Sequence, residues 1–246
     1  MIKKEAPSKY EYAHVVQDKS NENMHVALRG DLLKKGELVP RRFLRILTQG
    51  ERTPYLEGSG RRQLAESVVS PENPLSMRVF VNRIWMHHFG RALVRSPDNF
   101  GRLGEKPTHP ELLDWLALEF AGSGGSVKHL HRLIMNSATY RSSSTPAEKG
   151  LKTDADNRLF WRMDPRRMDV ETWRDALLSV TQELDASLGG PSQEDITQSA
   201  RRTLYAKTSR NDPTASDRFL RLFNFPIPRA SAAKRTQNIV PQQFLF

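Results

Sequence analysis

Apolar side chains that repeat with the period of an α-helix are the strongest constraint on the fold of this chain. In residues 75–89, steps of about 100° per residue bring one apolar set to a single helix face. That set consists of Met77, Phe80, Val81, Ile84 and Trp85. Further helices are indicated at 61–69, 110–120, 127–138 and 170–184, whereas 24–28 and 201–209 are the candidate strands. The pattern predicts a mainly α, multi-helix globular domain with a minor β element.

Capping residues mark where three of these helices should begin. Thr108 and Glu111 have the spacing of a capping box and predict the start of the third helix. Ser126 is placed to cap the next helix, and Asp169 is placed to cap the helix that extends to residue 184. Residues 144–157 are rich in loop-forming residue types and predict an exposed loop.

The composition of the chain changes near residue 60. Residues 1–60 are polar and interrupted by proline and glycine, which predicts an irregular N-terminal arm or lead-in segment. Residues 61–246 are denser in aromatic and aliphatic side chains and predict one mainly helical domain, with an irregular, proline-rich segment at 223–241. We expect Trp85, Trp115 and Trp173 to lie in the core of this domain.

The chain is strongly basic, and its basic residues are mostly arginine. It carries 38 Lys and Arg against 28 Asp and Glu, a formal net charge of +10, and 26 of the basic residues are arginine. The planar guanidinium group binds carboxylate, phosphate and sulfate through two hydrogen bonds, so this composition indicates acidic partners. Arginines engaged in surface and buried ion pairs would give the same composition.

Several kinds of site are excluded by composition. The chain has no cysteine, which excludes disulfides, thiolate zinc sites, iron–sulfur clusters and a covalently attached haem within it. The sequence contains no signal peptide and no apolar run approaching the roughly 18 residues of a membrane span. We therefore expect no cofactor and no membrane span in this chain.

Two adjacent histidines, His87 and His88, raise the question of a metal or haem site, because neutral imidazole is the commonest metal ligand. On a regular helix the two side chains point about 100° apart, so they cannot ligate one metal together. No HExxH or comparable spacing accompanies them, and we predict no metal site. His88 falls on the apolar stripe, which favours a hydrogen-bonded core histidine. The HxH pair His129 and His131 is a weaker candidate, because residues two apart face away from each other on a helix.

A polar cluster can be formed by these histidines and the loop that follows them. His87 or His88 would meet a set of polar loop residues near the helix end, where ligands often bind. The set consists of Arg91, Arg95, Asp98 and Asn99.

A hydrolase is a second interpretation of this region, with His87, Asp98 and Glu111 as its reactive groups. Paired carboxylates for acid–base chemistry occur at two helix starts, Glu111 with Asp114 and Glu171 with Asp175. The helix dipole alone also favours acidic residues in a first turn, so a structural role explains them equally.

A helix-turn-helix at 110–138 is the third interpretation. Its second helix would present Lys128, Arg132 and Asn136 on one face, at intervals of four residues. In a basic chain these side chains would meet phosphates and a base edge. Helical hairpins with a solvated basic face are far commoner than DNA-binding ones, so nucleic acid is not the first expectation.

Four blocks of the sequence carry a family resemblance. They are NPLSMRVFVNRIWMHHFGRALVRSPDNFGRLGEKPTHPELLDWLALEF at 73–120, KHLHRLIMNSATYRSSS at 128–144, WRM at 161–163 and ETWRDALLSVTQELDASLGGPS at 171–192. Residues 73–246 resemble the domain of unknown function 1553 family, and NMHVALRGDLLKKGELVPRRFLRIL at 23–47 resembles the segment that precedes that domain. Blocks of this length are specific.

The resemblance implies a C-terminal domain of large exported proteins from planctomycetes and verrucomicrobia, and hence an exported or periplasmic location. Relatives carry a signal sequence and upstream domains, often with a cytochrome-c-like module that would hold haem c. Polysaccharide breakdown or electron transfer has been supposed for the family, which assigns no catalytic residue. This chain begins within the lead-in, has Gly125 where relatives have a tryptophan, and ends at VPQQFLF where relatives continue. We therefore expect it to be a fragment.

The residues and the resemblance together predict an accessory domain that acts in binding or assembly within a larger exported multidomain protein. Its expected partners are the upstream domains of the same protein and an acidic or sulfated polysaccharide, which an arginine fork would bind. We lean toward a function that is not enzymatic.

Overall fold

The computed structural model describes residues 15–48, 50–236 and 238–245. These residues contain seven α-helices and one two-stranded sheet, so the predicted mainly α fold with a minor β element is confirmed. Short 3-10 turns lie at Leu28–Gly30, Arg45–Leu47, Ile196–Gln198, Thr203–Tyr205 and Pro241–Leu245. The chain divides into two compact units, with the boundary between Arg78 and Val79. No helix in the described ranges has the length and apolar character needed to cross a bilayer.

The first unit contains the sheet and one complete helix. Strands β1 (Met24–Ala27) and β2 (Lys35–Val39) pair antiparallel, with Met24 opposite Val39. The strand predicted near residue 24 is thus confirmed, whereas its partner was missed because KGELV contains few β-branched residues. Helix α1 (Arg61–Val69) has the predicted bounds.

Three helices build the first core of the second unit. Helix α2 (Pro74–Phe89) extends into this unit, and α3 (Pro110–Gly122) and α4 (Val127–Met135) follow it. Most of the predicted stripe on α2 is buried, but Phe80 is 42% exposed and stacks on Phe120 at 4.9 Å. The buried side chains are Val81, Ile84, Trp85, Phe89, Ala92, Leu93, Val94, Leu113, Leu116, Ala117, Phe120, Leu130 and Ile134.

A second, smaller core lies in the C-terminal part of this unit. Helices α5 (Glu148–Thr153), α6 (Val170–Val180) and α7 (Ala215–Leu222) occur here, separated by long irregular segments. Val170, Ile196, Phe219 and Leu220 are its buried members, with Trp173, Ala206, Phe223 and Phe225 packed against them. This core brings the start of α6 close to the end of α7.

The capping box predicted at Thr108 and Glu111 is wrong. The N-cap residue of α3 is His109, and no side chain caps the helix. The Thr108 amide instead donates to the Leu93 carbonyl at 2.9 Å, so a tertiary contact replaces the local one. The cap predicted at Ser126 is confirmed, since its hydroxyl accepts from the His129 amide at 3.3 Å.

Helix α6 ends earlier than predicted. Asp169 occupies the N-cap position without a side-chain cap bond, and the helix stops at Val180 instead of 184. Gln182 has a φ of 62°, and the Glu183 amide donates to the Leu178 carbonyl at 2.9 Å. These contacts form a Schellman motif, which glycine or asparagine usually closes, so a glutamine there gave no sequence signal.

Two other local predictions are wrong. The strand predicted at 201–209 is a 3-10 turn with single bridges on either side, Asp185 to Arg201 and Gln193 to Ala206. The loop predicted at 144–157 contains α5, in which Lys152 bonds to Glu148 at 2.6 Å.

Trp115 is 46% exposed, contrary to its predicted place in the core. It lies outside the stripe that α3 buries, whereas Trp85 is buried and Trp173 packs on the second core as predicted. Large size and apolar character alone therefore misplaced Trp115.

Arginine side chains fix much of the irregular backbone. Their guanidinium groups donate to main-chain carbonyls: Arg41 to Asn21 at 2.6 Å, Arg166 to His87 at 2.7 Å, Arg174 to Ile196 at 2.6 Å, Arg201 to Ser187 at 3.1 Å and Arg218 to Pro213 at 3.1 Å. Irregular segments lack ladder partners for these carbonyls, and a guanidinium offers five donors. Part of the arginine excess therefore serves folding.

Candidate functional site

A cavity of about 260 Å³ lies beside the start of α6. It is lined by residues 167–170 and Trp173, by Phe223 and Asn224 at the end of α7, and by Arg235, Thr236 and Gln243 from the C-terminal segment. The second core carries two of these three pieces of chain, since Val170 and Trp173 belong to the first and Phe223 belongs to the second. The cavity is therefore supported by packed side chains.

Two aromatic rings form the apolar wall of the cavity. The Trp173 and Phe223 ring centroids are 5.3 Å apart, with 30° between the ring planes. Phe219 backs Phe223 at 5.4 Å. This packing limits the rotation of both cavity rings, so they present fixed flat surfaces to a ligand.

Arg235 and Asp169 form one polar side of the cavity, and Glu171 holds Arg235 from outside the lining. The Arg235 terminal nitrogens donate to the two Glu171 carboxylate oxygens at 2.7 and 2.5 Å, and Asp169 lies 3.5 Å from Arg235. Burial opposes ionisation of Glu171 most strongly, but the hydrogen bonds and charge of Arg235, together with a hydrogen bond from the Glu171 backbone amide, hold the pKa of Glu171 below its usual value. The hydrogen bonds to Glu171 also raise the pKa of Arg235. Both groups are therefore charged at neutral pH.

Amide and guanidinium groups form the other polar side. Arg167 donates to the Gln243 side-chain oxygen at 3.0 Å and to the Asn238 carbonyl at 3.2 Å. Gln243 is itself buried and donates to the Leu222 carbonyl at 2.5 Å. These bonds orient Arg167 at the cavity edge.

The cavity therefore combines flat aromatic surfaces with planar polar groups. Sugars suit this combination, because their C–H faces pack on aromatic rings while neighbouring hydroxyls share the hydrogen bonds of carboxylate, amide and guanidinium groups. Sites for drug-sized ligands span about 300–1,000 Å³, so a cavity slightly below that range fits a single sugar unit.

Sequence reasoning did not find this site. Trp173 was assigned to the core, and Glu171 was explained by the helix dipole. Arg235 lies 64 residues further along the chain than its partner Glu171, in a segment expected to be irregular. The sequence signal of this site was only an aromatic and an acidic residue at the start of one helix. That combination is too common to identify a site.

The polar cluster predicted at the end of α2 is divided in the structure. His87 and Asp98 are exposed, and Arg95 is partly buried. Arg91 forms an ion pair with Asp164 at 2.8 Å, while the Asn99 side chain accepts from the Gly101 amide at 3.0 Å within its own turn. In the described ranges no hydrogen bond or ion pair joins two members of this set.

The structure instead pairs His88 with a histidine from α4. His88 Nε2 lies 2.7 Å from His131 Nδ1, and the Tyr140 ring meets His88 edge-on at 5.5 Å. One of the two facing nitrogens donates and the other accepts, so the contact holds a single shared proton. Burial lowers the pKa of His88, and the neighbouring groups His131, Arg166 and His87 lower it further.

This pair should make folding stability sensitive to acid. Because the pKa of His88 is lower in the folded chain, the unfolded chain binds more protons below the ordinary imidazole pKa of about 6.5. We therefore expect the free energy of unfolding to fall as the pH drops below about 6.5, and to change little through His88 above it.

Urea denaturation between about pH 5 and about pH 8 would measure this dependence. His88→Gln should flatten the acid slope, whereas His87→Gln, at the exposed neighbour, should retain most of it. Equal slopes in the wild type and His88→Gln would show that the pair does not couple protonation to folding.

The three groups of the hydrolase interpretation do not converge. Glu111 is exposed in the first turn of α3, and Asp98 is exposed in the loop before it. The His87 carbonyl accepts from Arg166, while no contact of the described residues joins the His87 side chain to either carboxylate. The geometry offers these groups no common substrate position.

The helix-turn-helix residues occupy an exposed face, as the periodicity predicts. Lys128 and Arg132 are exposed on α4, and Asn136 is exposed as its C-cap residue. His129 on the same helix lies 3.6 Å from Glu119 of α3, which adds an acidic group beside this face.

The described residues contain no group of three or more histidine, aspartate or glutamate side chains that could hold a metal ion. His88 and His131 supply only two facing nitrogens. The cavity beside α6 therefore remains the strongest candidate site.

The fold is that of a mainly helical domain with a cavity beside α6. Residues 60–246 match the family described as protein of unknown function, DUF1553 (PSD1), so the chain belongs to that family. The resemblance drawn from the sequence blocks is thus confirmed. Neither the curated proteins nor the solved structures that were searched gave a match.

Proposed function

We propose that this chain is a saccharide-binding domain of a larger exported multidomain protein, and that its ligand is an acidic or sulfated polysaccharide. The cavity beside α6, in which Trp173 and Phe223 face Arg235 and Arg167, carries the proposal. Its upstream domains would act on the polysaccharide or pass electrons, while this domain holds the polymer.

The chemistry of the cavity supports a polymer with acidic groups. An aromatic wall selects for a ring with an apolar face, and the guanidinium groups select for carboxylate or sulfate. The net charge of +10 also favours the approach of a polyanion, although charge alone gives no preference among polyanions.

Binding to a panel of polymers tests the proposal. Isothermal titration calorimetry with polygalacturonate, chondroitin sulfate and neutral dextran should show binding to at least one acidic polymer that survives physiological salt. Trp173→Ala should weaken that binding by at least about tenfold, because a central aromatic contact is lost.

Trp115→Ala is the matched control, because Trp115 is an exposed tryptophan on α3, away from the residues that line the cavity. It should bind like the wild type. Arg167→Gln provides a second cavity variant in case Trp173→Ala destabilises the second core. Equal affinity in all four proteins, or binding that vanishes at modest salt, would reduce the interaction to net charge and contradict the proposal.

The exposed face of α4 makes nucleic-acid binding the competing outcome of this test. If double-stranded DNA binds more tightly than any acidic polysaccharide, and Arg132→Gln removes that binding, nucleic acid is the ligand and the saccharide proposal is wrong.

A further inference from the structure

We propose that Arg235 selects the anionic group of the bound sugar and that Glu171 occupies its place until the sugar binds. The proposal rests on the proposed function, because it assigns the charged contact within the same cavity. A ligand carboxylate or sulfate that reaches Arg235 displaces the Glu171 carboxylate. The Glu171 carboxylate and the anionic group of the ligand thus compete for the Arg235 guanidinium.

The Arg235 guanidinium is held in one orientation. Two of its nitrogens bond to Glu171 at 2.7 and 2.5 Å, and its central carbon lies 5.2 Å from the centre of the Phe225 ring. Arg235 also lines the cavity, with 28% of its side chain exposed. A carboxylate or sulfate in the cavity therefore meets a fork that is already ordered, which lowers the entropic cost of binding.

Glu171 lies outside the lining of the cavity. It lines a neighbouring hollow of about 780 Å³, together with Asp175 and Arg202. Arg202 lies 3.5 Å from Asp175 and adds a positive charge to that hollow. The Glu171 side chain is already 27% exposed, so its release from Arg235 does not leave a fully buried carboxylate without a partner.

This exchange makes the site prefer an acidic sugar to a neutral one. Arg167, Arg235 and Asp169 line the cavity, and Glu171 adds a second negative charge from outside it, so the four charges sum to zero while the ion pair is intact. A neutral sugar leaves the pair in place and gains nothing from Arg235. An acidic sugar replaces one bidentate pair by another, and removal of the Glu171 charge would let it bind Arg235 without competition.

Two ligands that differ only in charge test the exchange. Calorimetry with tetragalacturonate and with its fully methyl-esterified form compares an acidic sugar with a neutral one of the same shape. Glu171→Gln should raise the affinity for tetragalacturonate about tenfold and leave the ester unchanged. Arg235→Gln should remove the difference between the two ligands.

Glu183→Gln is the control, because Glu183 is an exposed carboxylate beyond the end of α6. It should match the wild type with both ligands. If Arg235→Gln fails to fold, Arg235→Lys keeps the charge without the fork and should lose most of the preference for the acid.

The outcomes separate this inference from the function on which it rests. If Glu171→Gln and Arg235→Gln both bind like the wild type while Trp173→Ala loses both ligands, the exchange is overturned and the saccharide site stands. If the wild type binds neither tetramer but binds chondroitin sulfate, the exchange with a sugar carboxylate is overturned and the saccharide site stands; if it binds none of the three, both are overturned.

Discussion

Arg174→Leu is expected to lower the free energy of unfolding by about 3–5 kcal/mol. Arg174 is only 8% exposed, and it donates to the carbonyls of Ile196 at 2.6 Å and Arg201 at 2.9 Å. It also donates to the Ser199 carbonyl and, at 3.1 Å, to the Thr203 hydroxyl. Leucine would leave the Arg201 and Ser199 carbonyls without this donor, and the Ile196 carbonyl with only the Ser199 amide at 3.3 Å. Burial lowers the pKa of Arg174, with the charge of Asp175 opposing the shift, but the guanidinium stays charged at neutral pH.

Urea denaturation of the purified chain would measure this loss. Arg218→Leu is the matched control, because Arg218 is exposed and donates to a single carbonyl, that of Pro213, at 3.1 Å. It should change the free energy of unfolding by less than about 1 kcal/mol. A comparable small loss in Arg174→Leu would mean that solvent reaches these carbonyls, and the account of this irregular segment would be wrong.

Asn82→Ala is expected to cost about 2–4 kcal/mol of folding free energy. Asn82 is completely buried, and its side chain bonds to both main-chain polar groups of Val94, donating to the carbonyl at 3.0 Å and accepting from the amide at 2.8 Å. These bonds attach the chain that leaves α2 to the helix itself. Alanine would leave a buried N–H and a buried C=O unpaired.

Thermal and chemical denaturation would give this value, with Asn99→Ala as the comparison. Asn99 also bonds to a main-chain amide, that of Gly101, but at an exposed turn where water can replace it. Its loss should be well under half of that in Asn82→Ala. Similar losses of unfolding free energy at the two positions would show that burial of the Val94 amide and carbonyl does not add to the cost of leaving them unpaired.

The first core could be predicted from the sequence because its determinants are local. The stripe on α2 and the cap at Ser126 act within a few residues, and both agree with the tertiary packing. The strand predicted at 201–209 failed because distant side chains satisfy the backbone there. Arg174 binds the Arg201 carbonyl, and Asp175 accepts from the Thr203 amide at 2.7 Å.

The candidate site was hidden for the same reason. Its ion pair joins residues 64 positions apart, and the histidine pair joins residues 43 positions apart. His88 was correctly separated from His87 by helical phase, but nothing local identifies His131 as its partner. Glu171 has an ordinary explanation as a first-turn acid, and only its ion pair with Arg235 connects it to the cavity.

The central claim is that the cavity beside α6 binds a unit of an acidic polysaccharide, and indole NMR tests it most directly. The chain has four tryptophans, so a ¹⁵N-labelled sample gives at most four indole N–H signals, and Trp173→Phe identifies the relevant one. Titration with tetragalacturonate should shift the Trp173 signal in a saturable way, while the signal of buried Trp85 stays in place. An unmoved Trp173 signal, or a shift shared equally with exposed Trp115, would contradict the account.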